Sequence, residues 1–469
     1  MKYTFERFLT EVGGCFQGEM TEDQLRAVQE FYRYLFAGGP RAAFVLKGYA
    51  GTGKTTLIGA LVRWFHKVGR KTILMAPTGR AAKVLSAESG YPASTIHRRI
   101  YTYNQDPWGK PVIRLATYTG EKTVFIVDEA SMIGTDGDEN FRSLIEDLIK
   151  YVYSAPRCRL VFVGDDAQLP PVGSVISPAL DTKKLAKYLA GDVFEYTLTE
   201  VVRQQAQSLI LENATMVRNS IRHGSPNPVV LKHGRGADVQ VLDSYELEEE
   251  LENAFAGGNS DQALVICRSN RDANGFNAEI RSRFFDRTGL LEAGDRVMVV
   301  KNNYYWKIPG NRQLFLANGD MLQVERVYTV HRFGEYSIAE VRVSLGDETP
   351  SFEINVLLNS IENDQASLSG AEVVKMRHSL IEGLLPNEPD AEQKIFQNPF
   401  YNAVQIKHAY AVTCHKSQGG QWEKVFVYQG YLPPDISQLE HQRWLYTAIT
   451  RATDRLFLIG FVKDQLKEI

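Results

Sequence analysis

The stretch Gly48-Tyr49-Ala50-Gly51-Thr52-Gly53-Lys54-Thr55 decides the fold, because it matches the pattern G-x-x-x-x-G-K-[ST] in full. An apolar run at residues 42–46 precedes it, and a helix-like apolar pattern begins at Leu57. Strand, glycine loop and helix in this order form a phosphate site, since the glycines let several backbone N–H groups turn towards one anion. We therefore predict a nucleoside triphosphate site here, against the alternative of an ordinary turn.

The phosphate loop, residues 48–55, also supplies side chains for the ligand. Lys54 adds a mobile positive charge, and the hydroxyl of Thr55 is a ligand for Mg²⁺. The predicted nucleotide-binding residues of this region are Gly51, Thr52, Gly53, Lys54, Thr55 and Thr56.

Length and composition exclude several other classes of protein. The chain has 469 residues, which corresponds to about three domains. A formal net charge of −3 with 23% charged residues indicates that any polyanion site must be a local groove. The four cysteines, Cys15, Cys158, Cys267 and Cys414, form no C-x-x-C pair, which argues against a disulfide framework or zinc site. With no secretion signal and no apolar window of ~18 residues, we expect a cytoplasmic, nucleoid-associated protein without a membrane partner.

Apolar runs separated by helical patterns predict an α/β fold with a parallel sheet covered by helices. In the first part of the chain these runs are residues 42–46, 72–75, 124–127 and 160–163. A second set predicts another α/β lobe without its own phosphate loop, at residues 263–267, 425–428 and 456–459.

A different pattern lies between the strands of the second lobe. Apolar and polar residues alternate with period two, which indicates strands with one buried face. The alternating segments are residues 321–328, 338–343 and 352–356. We expect them to form a small antiparallel barrel inserted in the second lobe.

Two carboxylates follow the predicted strand 124–127. Asp128 and Glu129 would lie at the carboxyl end of a parallel strand, where ligands of such sheets bind. Asp128 would hold Mg²⁺, and Glu129 would orient and deprotonate the attacking water. The alternative for an acidic pair after a strand is a helix N-cap.

Three further residues suit a site that responds to the terminal phosphate. Gln168, with a donor and an acceptor, could detect this phosphate, although its proline-terminated loop could be a simple surface turn. Arg203 and Arg451 each follow an apolar segment, and their guanidinium groups could reach across an interdomain cleft and stabilise the transferring phosphoryl group. Each arginine could instead be a surface salt-bridge partner.

The order of these motifs resembles that of the superfamily 1 helicases, most closely the 5′-to-3′ branch with the RecD, Dda and PIF-type enzymes. The matching segments are MTEDQ at 20–24, the phosphate loop, APTGRAA at 76–82, STIH at 94–97, DEAS at 128–131, GDDAQLPP at 164–171, VRQ at 202–204, AVTCHKSQG at 411–419 and LYTAITR at 445–451. They extend over nearly all of residues 20–460.

The resemblance implies ATP as the nucleotide, with Gln24 recognising the adenine edge and Arg203 and Arg451 facing the γ-phosphate. It also implies a single-stranded DNA path along Pro77, Thr78, His97, Thr413, His415 and Lys416. Hydroxyls, imidazoles and loop amides suit contacts with phosphate oxygens, which hold a strand without identifying its sequence.

The resemblance further implies two RecA-like lobes with two insertions. The first lobe would comprise residues 1–195, with a hairpin at about 101–122 that splits the duplex. The second lobe would comprise 196–310 and 406–469, with an SH3-like barrel at 311–405. Trp108 at the hairpin turn could be the wedge against the last base pair, or it could pack against its own hairpin.

The predicted function is that of an ATP-dependent 5′-to-3′ single-stranded DNA translocase and helicase, working as a monomer on fork or G-quadruplex DNA. One alternative is an ATP-gated clamp that holds single strands without separating a duplex. Another is a small-molecule phosphotransferase, for which segments 411–419 and 445–451 would have no task.

Overall fold

The computed structural model describes residues 3–106, 111–135, 143–202, 208–256, 260–309, 315–346 and 350–469. The strands are β1 (Ala43–Gly48), β2 (Thr72–Ala76), β3 (Ala93–Thr95), β4 (Tyr101–Gln105), β5 (Pro111–Leu115), β6 (Val124–Val127), β7 (Arg159–Gly164), β8 (Val193–Leu198), β9 (Leu231–His233), β10 (Val239–Val241), β11 (Ala263–Cys267), β12 (Arg296–Val299), β13 (Asn303–Lys307), β14 (Phe315–Leu316), β15 (Met321–Phe333), β16 (Tyr336–Ser344), β17 (Phe352–Leu357), β18 (Val404–His408), β19 (Ala411–Thr413), β20 (Trp422–Tyr428), β21 (Ala452–Ile459) and β22 (Leu466–Glu468).

The α-helices connect and cover these strands. They are α1 (Phe5–Gly13), α2 (Glu22–Ala37), α3 (Lys54–Lys67), α4 (Gly79–Ser89), α5 (Ile96–Ile100), α6 (Leu144–Val152), α7 (Thr182–Leu189), α8 (Leu209–His223), α9 (Ser244–Phe255), α10 (Asn270–Phe284), α11 (Asn359–Glu362), α12 (Gly370–Leu384), α13 (Ala391–Lys394), α14 (Cys414–Ser417) and α15 (Gln438–Ile449). Within the described part of the chain, no helix has the length and apolar character that a membrane span requires.

The first lobe is built on a parallel sheet with the strand order β3-β2-β6-β7-β1-β8. Its central strands β1, β6 and β7 are almost entirely buried, because helices cover both faces of the sheet. The carboxyl ends of β6, β7 and β1 are adjacent, so the loops that follow these three strands meet at one edge.

The second lobe is built on a parallel sheet with the order β10-β21-β20-β11-β19. Helix α15 packs against α8 and leads into β21. The apolar core of this lobe includes Tyr49, Ala167 and Leu169 from loops of the first lobe. The two lobes are therefore in direct contact, with first-lobe loops inserted into the second-lobe core.

The inserted barrel closes in the order β12-β15-β16-β17-β18. Most neighbours are antiparallel, as the alternating pattern predicts, but β17 and β18 are parallel. Parallel neighbours require a long crossover connection. The segment between β17 and β18 is long enough for this and contains α11, α12 and α13. With the two parallel sheets, the barrel confirms the predicted α/β architecture of two lobes with a barrel insertion in the second.

Two buried ion pairs fix the barrel. Arg281 of α10 makes two hydrogen bonds of 2.9 and 2.8 Å to Asp295, directly before β12. Arg98 of α5 donates to Asp320 at 2.6 Å, which joins the first lobe to the turn before β15. Separately, β4 and β5 form an antiparallel hairpin in the first lobe.

Candidate functional site

The phosphate loop adopts a conformation that depends on glycine. Gly51 and Gly53 have φ angles of 80° and 76°, in the left-handed region that glycine adopts without a steric penalty. The Nζ atom of Lys54 donates to the carbonyl oxygens of Gly48 at 2.6 Å and Tyr49 at 2.9 Å. The ammonium group is thus held over the loop by neutral acceptors, which an anionic phosphate can replace.

Gln24 lies against this loop. It is almost completely buried, it forms a capping box with Thr21 at the start of α2, and its Nε2 lies 3.4 Å from the carbonyl oxygen of Thr52. A Cβ atom added to Gly53 would approach Nε2 of Gln24 to 2.5 Å. The side chain therefore fixes the edge of the phosphate loop, and its role towards adenine remains a prediction.

The paired carboxylates lie at the end of β6. Burial raises the pKa of Asp128 above its usual value, and the adjacent charge of Glu129 adds to this effect. Glu129 has a φ angle of 51°, unusual for a residue with a side chain, and its N–H donates to Oδ1 of Asp128 at 2.8 Å. A buried carboxylate with a raised pKa favours a nearby cation, which makes Asp128 suitable for a metal ion.

The loop after β7 contains a third carboxylate. Oδ1 of Asp165 accepts the N–H of Ala167 at 3.0 Å, and Oδ2 accepts the hydroxyl of Tyr446 at 2.7 Å. Burial raises the pKa of Asp165 to about 6, whereas the charge of Lys54 and the Tyr446 bond oppose this rise. Gln168, in the same loop, is buried, and its Oε1 has no hydrogen-bond partner among the described residues.

Arg451 enters the site from the second lobe and is only 4% exposed. Its guanidinium group donates to the carbonyl oxygens of Thr447 at 3.0 Å and Gly420 at 3.1 Å. These bonds hold the arginine against its own lobe. Arg203, the other predicted arginine, lies outside the described residues, although its neighbour Val202 lines the cleft.

One cleft between the lobes brings most of the predicted ATP-site residues together. Its volume is about 490 Å³. The predicted residues that line it are Gln24, Gly51, Gly53, Lys54, Thr55, Thr56, Asp128, Glu129, Gln168 and Arg451. Thr52 is buried directly beneath them, with its hydroxyl donating to the carbonyl oxygen of Tyr49 at 2.8 Å. The cleft thus combines cationic, carboxylate and amide groups from two lobes.

The first-lobe residues of the predicted DNA path lie before and within α4 and α5. The hydroxyl of Thr78 caps α4 by accepting from the N–H of Ala81 at 3.2 Å, and Pro77 precedes it. The ring of His97 in α5 lies 5.7 Å from that of Tyr101, between ring centroids.

The second-lobe residues of this path surround α14. Thr413 precedes this helix, and burial lowers the pKa of His415, which also forms a hydrogen bond with the backbone of Pro170. Nζ of Lys416 donates to Oδ1 of Asn318 in the barrel at 2.7 Å. A Cβ atom on the adjacent Gly319 would lie 3.4 Å from Cβ of Thr78, so the barrel turn lies between the two parts of the path. Trp108 lies outside the described residues.

Three residues that the structure places where the two lobes meet were not predicted from the sequence, namely Asp165, Tyr446 and Arg80. The strand-end signal that identified Asp128 also applies to Asp165, which follows β7. Tyr446 carries no local signal, since its partners lie far away in the chain. The guanidinium carbon of Arg80 lies 3.7 Å from the centroid of the Trp422 ring, which adds a contact between the segments 76–82 and 411–422.

Comparisons with known proteins identify the family. The AAA domain family matches residues 19–236, and the UvrD-like helicase C-terminal domain family matches residues 408–459. The ATP-dependent DNA helicase Dda of Enterobacteria phage T4 is 25% identical over 464 residues, covering 93% of this chain and 96% of Dda. These matches bear out the resemblance to the superfamily 1 helicases of the Dda, RecD and Pif type. The protein is an ATP-dependent DNA helicase.

A second curated helicase and a solved helicase structure are also similar to this chain. The ATP-dependent RecD2 DNA helicase of Deinococcus radiodurans is 25% identical over 426 residues, covering 89% of this chain and 46% of RecD2. The present chain thus spans nearly all of Dda but less than half of RecD2. A crystal structure of Pif1 helicase from Bacteroides, in complex with ADP-AlF3 and single-stranded DNA, is 17% identical with a TM-score of 0.48, covering 96% of this chain and 94% of that one.

Proposed function

We propose that this helicase moves 5′ to 3′ along single-stranded DNA and uses ATP with Mg²⁺ to separate duplex or structured DNA. The observation that carries the proposal is the single cleft lined by both Lys54 of the first lobe and Arg451 of the second. A nucleotide bound there would contact both lobes, so its γ-phosphate would change the free energy of one lobe spacing relative to another.

Each group in the cleft has a chemical role in this proposal. Lys54 would bind the phosphates, and Glu129 would orient the attacking water. Thr55 and Asp128 would hold Mg²⁺, and the raised pKa of the buried Asp128 supports this, since the site favours an added cation. When bound, Mg²⁺ neutralises charge that develops on the phosphates. Gln168 would contact the γ-phosphate through its Oε1, for which the described residues supply no hydrogen-bond partner.

The two arginines would complete the site when the lobes close. Arg451 now donates to carbonyl groups of its own lobe, and rotation of its guanidinium group would direct it to the γ-phosphate. Arg203 would act from the segment that follows Val202. Because charge stabilisation by arginine accelerates phosphoryl transfer greatly, hydrolysis would depend on closure.

Movement along DNA would follow from alternate contacts with the two lobes. Pro77, Thr78 and His97 would hold the strand on the first lobe, and the second lobe would hold it through Thr413, His415 and Lys416. Closure and reopening would shift the hold by about one nucleotide in each ATP cycle. Trp108, which lies between β4 and β5 in the sequence, would then separate the strands of forks or G-quadruplexes. A monomer would be sufficient for the cycle.

The decisive experiment compares the unwinding of duplexes that have a 5′ or a 3′ single-stranded tail, with ATP and Mg²⁺. We expect strand release from the 5′-tailed duplex only. Release from the 3′-tailed duplex alone would refute the polarity. ATP hydrolysis stimulated by DNA without any strand release would instead support a clamp that holds single strands.

A further inference from the structure

The hydroxyl of Tyr446 connects two loops of the first lobe. Tyr446 lies in α15 of the second lobe and is 1% exposed. Its oxygen accepts the N–H of Ala50 in the phosphate loop at 2.9 Å, and its proton is donated to Oδ2 of Asp165 at 2.7 Å. Both hydrogen-bonding functions of one hydroxyl are thus used across the lobe interface.

Asp165 links this contact to the phosphate-binding lysine. The charged groups that act on its buried carboxylate are Lys54 and Asp166, of which Lys54 stabilises the ionised form. Tyr446 and the N–H of Ala167 supply the hydrogen bonds. Loss of the Tyr446 hydroxyl would leave Oδ2 of a buried carboxylate without this donor, which costs more than loss of an exposed hydrogen bond.

The second lobe also binds the end of the 164–171 loop. The N–H of Leu169 donates to Oγ1 of Thr447 at 2.8 Å, and its carbonyl oxygen accepts Nε2 of Gln418 at 2.8 Å. Gln168 therefore lies between Asp165 and Leu169, two residues whose positions depend on second-lobe side chains. Separation of the lobes would release both ends of this segment.

We propose that Tyr446 is a positioning residue that makes ATP hydrolysis depend on contact between the lobes. Through its hydroxyl it fixes Asp165, and with it the segment that contains Gln168, relative to the phosphate loop. The inference rests on the proposed ATP site in the cleft and adds a specific group that transmits lobe contact to it.

The test is the ATPase activity of Tyr446→Phe, which removes only the hydroxyl. At saturating single-stranded DNA we expect kcat to fall about ten-fold. KM for ATP should change less than about two-fold, because the substitution removes one hydrogen-bond acceptor of the phosphate loop, for the N–H of Ala50, while Lys54 keeps its contacts within the first lobe. The matched control is Tyr336→Phe, which removes the hydroxyl of another buried tyrosine. That hydroxyl donates to the carbonyl oxygen of Glu372 at 3.1 Å in the barrel region. The control should keep both constants.

Asp165→Asn provides an independent test, since it alters the residue that accepts the hydrogen bond of the Tyr446 hydroxyl. If Tyr446 acts through Asp165, the double variant should have the kcat of the slower single variant, because the two substitutions break one link. An unchanged kcat in Tyr446→Phe, or a double variant whose loss is the product of the two single losses, would overturn the inference. Absence of DNA-stimulated hydrolysis in the unaltered protein would overturn the proposed function itself.

Discussion

The anchoring of the barrel on the second lobe can be tested with Asp295→Asn. Asp295 is fully buried and accepts two hydrogen bonds from Arg281, whose side chain is 6% exposed. It also accepts the N–H of Glu292 at 2.7 Å. The substitution keeps the size of the side chain but removes the charge, and it turns a donor group towards the guanidinium donors of Arg281.

The expected cost follows from burial. Removal of one partner of a buried ion pair costs about 3–5 kcal/mol of unfolding free energy, and Arg281 would keep Glu292 at a longer distance of 3.9 Å. The matched control is Glu248→Gln. Glu248 pairs at 2.9 Å with Arg283, which lies in α10 two residues after Arg281. That pair is 52% and 59% exposed, and Arg283 keeps a second partner in Glu279, so the control should lose less than about 1 kcal/mol.

Urea unfolding and amide hydrogen exchange would measure both variants. Asp295→Asn should lower the unfolding midpoint and speed exchange in α10 and β12, the elements that the pair joins. Glu248→Gln should leave both close to those of the unaltered protein. Equal midpoints for the two variants would refute the reasoning, since burial is the main difference between the two pairs.

Four further outcomes follow from the site and the fold. Lys54→Ala should reduce ATP turnover by at least about 100-fold, with single-stranded DNA binding largely kept, and normal turnover in a pure preparation would contradict the role of the phosphate loop. Arg451→Ala should bind nucleotide but hydrolyse it roughly 1,000-fold more slowly, as single-turnover assays would show. Trp108→Ala should keep DNA-stimulated ATPase activity but unwind a fork at a rate lower by about three-fold or more, whereas an equal rate would place the wedge elsewhere. Burial lowers the pKa of His408 from 6.5 to about 4, so the folded state resists protonation and unfolding free energy should decline as pH falls from 6.5 towards 4; His408→Gln should reduce this decline in urea titrations.

The parallel sheets were predictable because their strands are short, apolar and buried on both faces. Residues 124–127 and 263–267 form β6 and β11 with the predicted bounds. Where a strand extends beyond the core, the apolar signal ends early. The second half of β15 has mostly exposed side chains, so the alternating pattern stops near residue 328 although the strand continues to Phe333.

Closure of the barrel and the lobe contacts could not be predicted in the same way. Val297 of β12 pairs with His408 of β18, more than 100 positions away, and neither strand has a local feature that selects the other. The bond from Tyr446 to Asp165 joins residues 281 positions apart. Such contacts depend on how completed lobes pack, whereas glycine loops and strand-end carboxylates are local patterns.

The ion pair between Arg98 and Asp320 constrains how the lobes can move. The barrel is continuous with the second lobe, so this pair is a non-covalent link from the first lobe to the part of the protein that would move relative to it in the proposed cycle. Pulling the pair apart would break a charge-assisted hydrogen bond between two side chains that have little access to water. Rotation of the lobes about this pair would cost much less free energy, because the pair would stay intact. We therefore expect the ATP cleft of the helicase to open and close by rotation of the lobes about an axis that passes near Asp320.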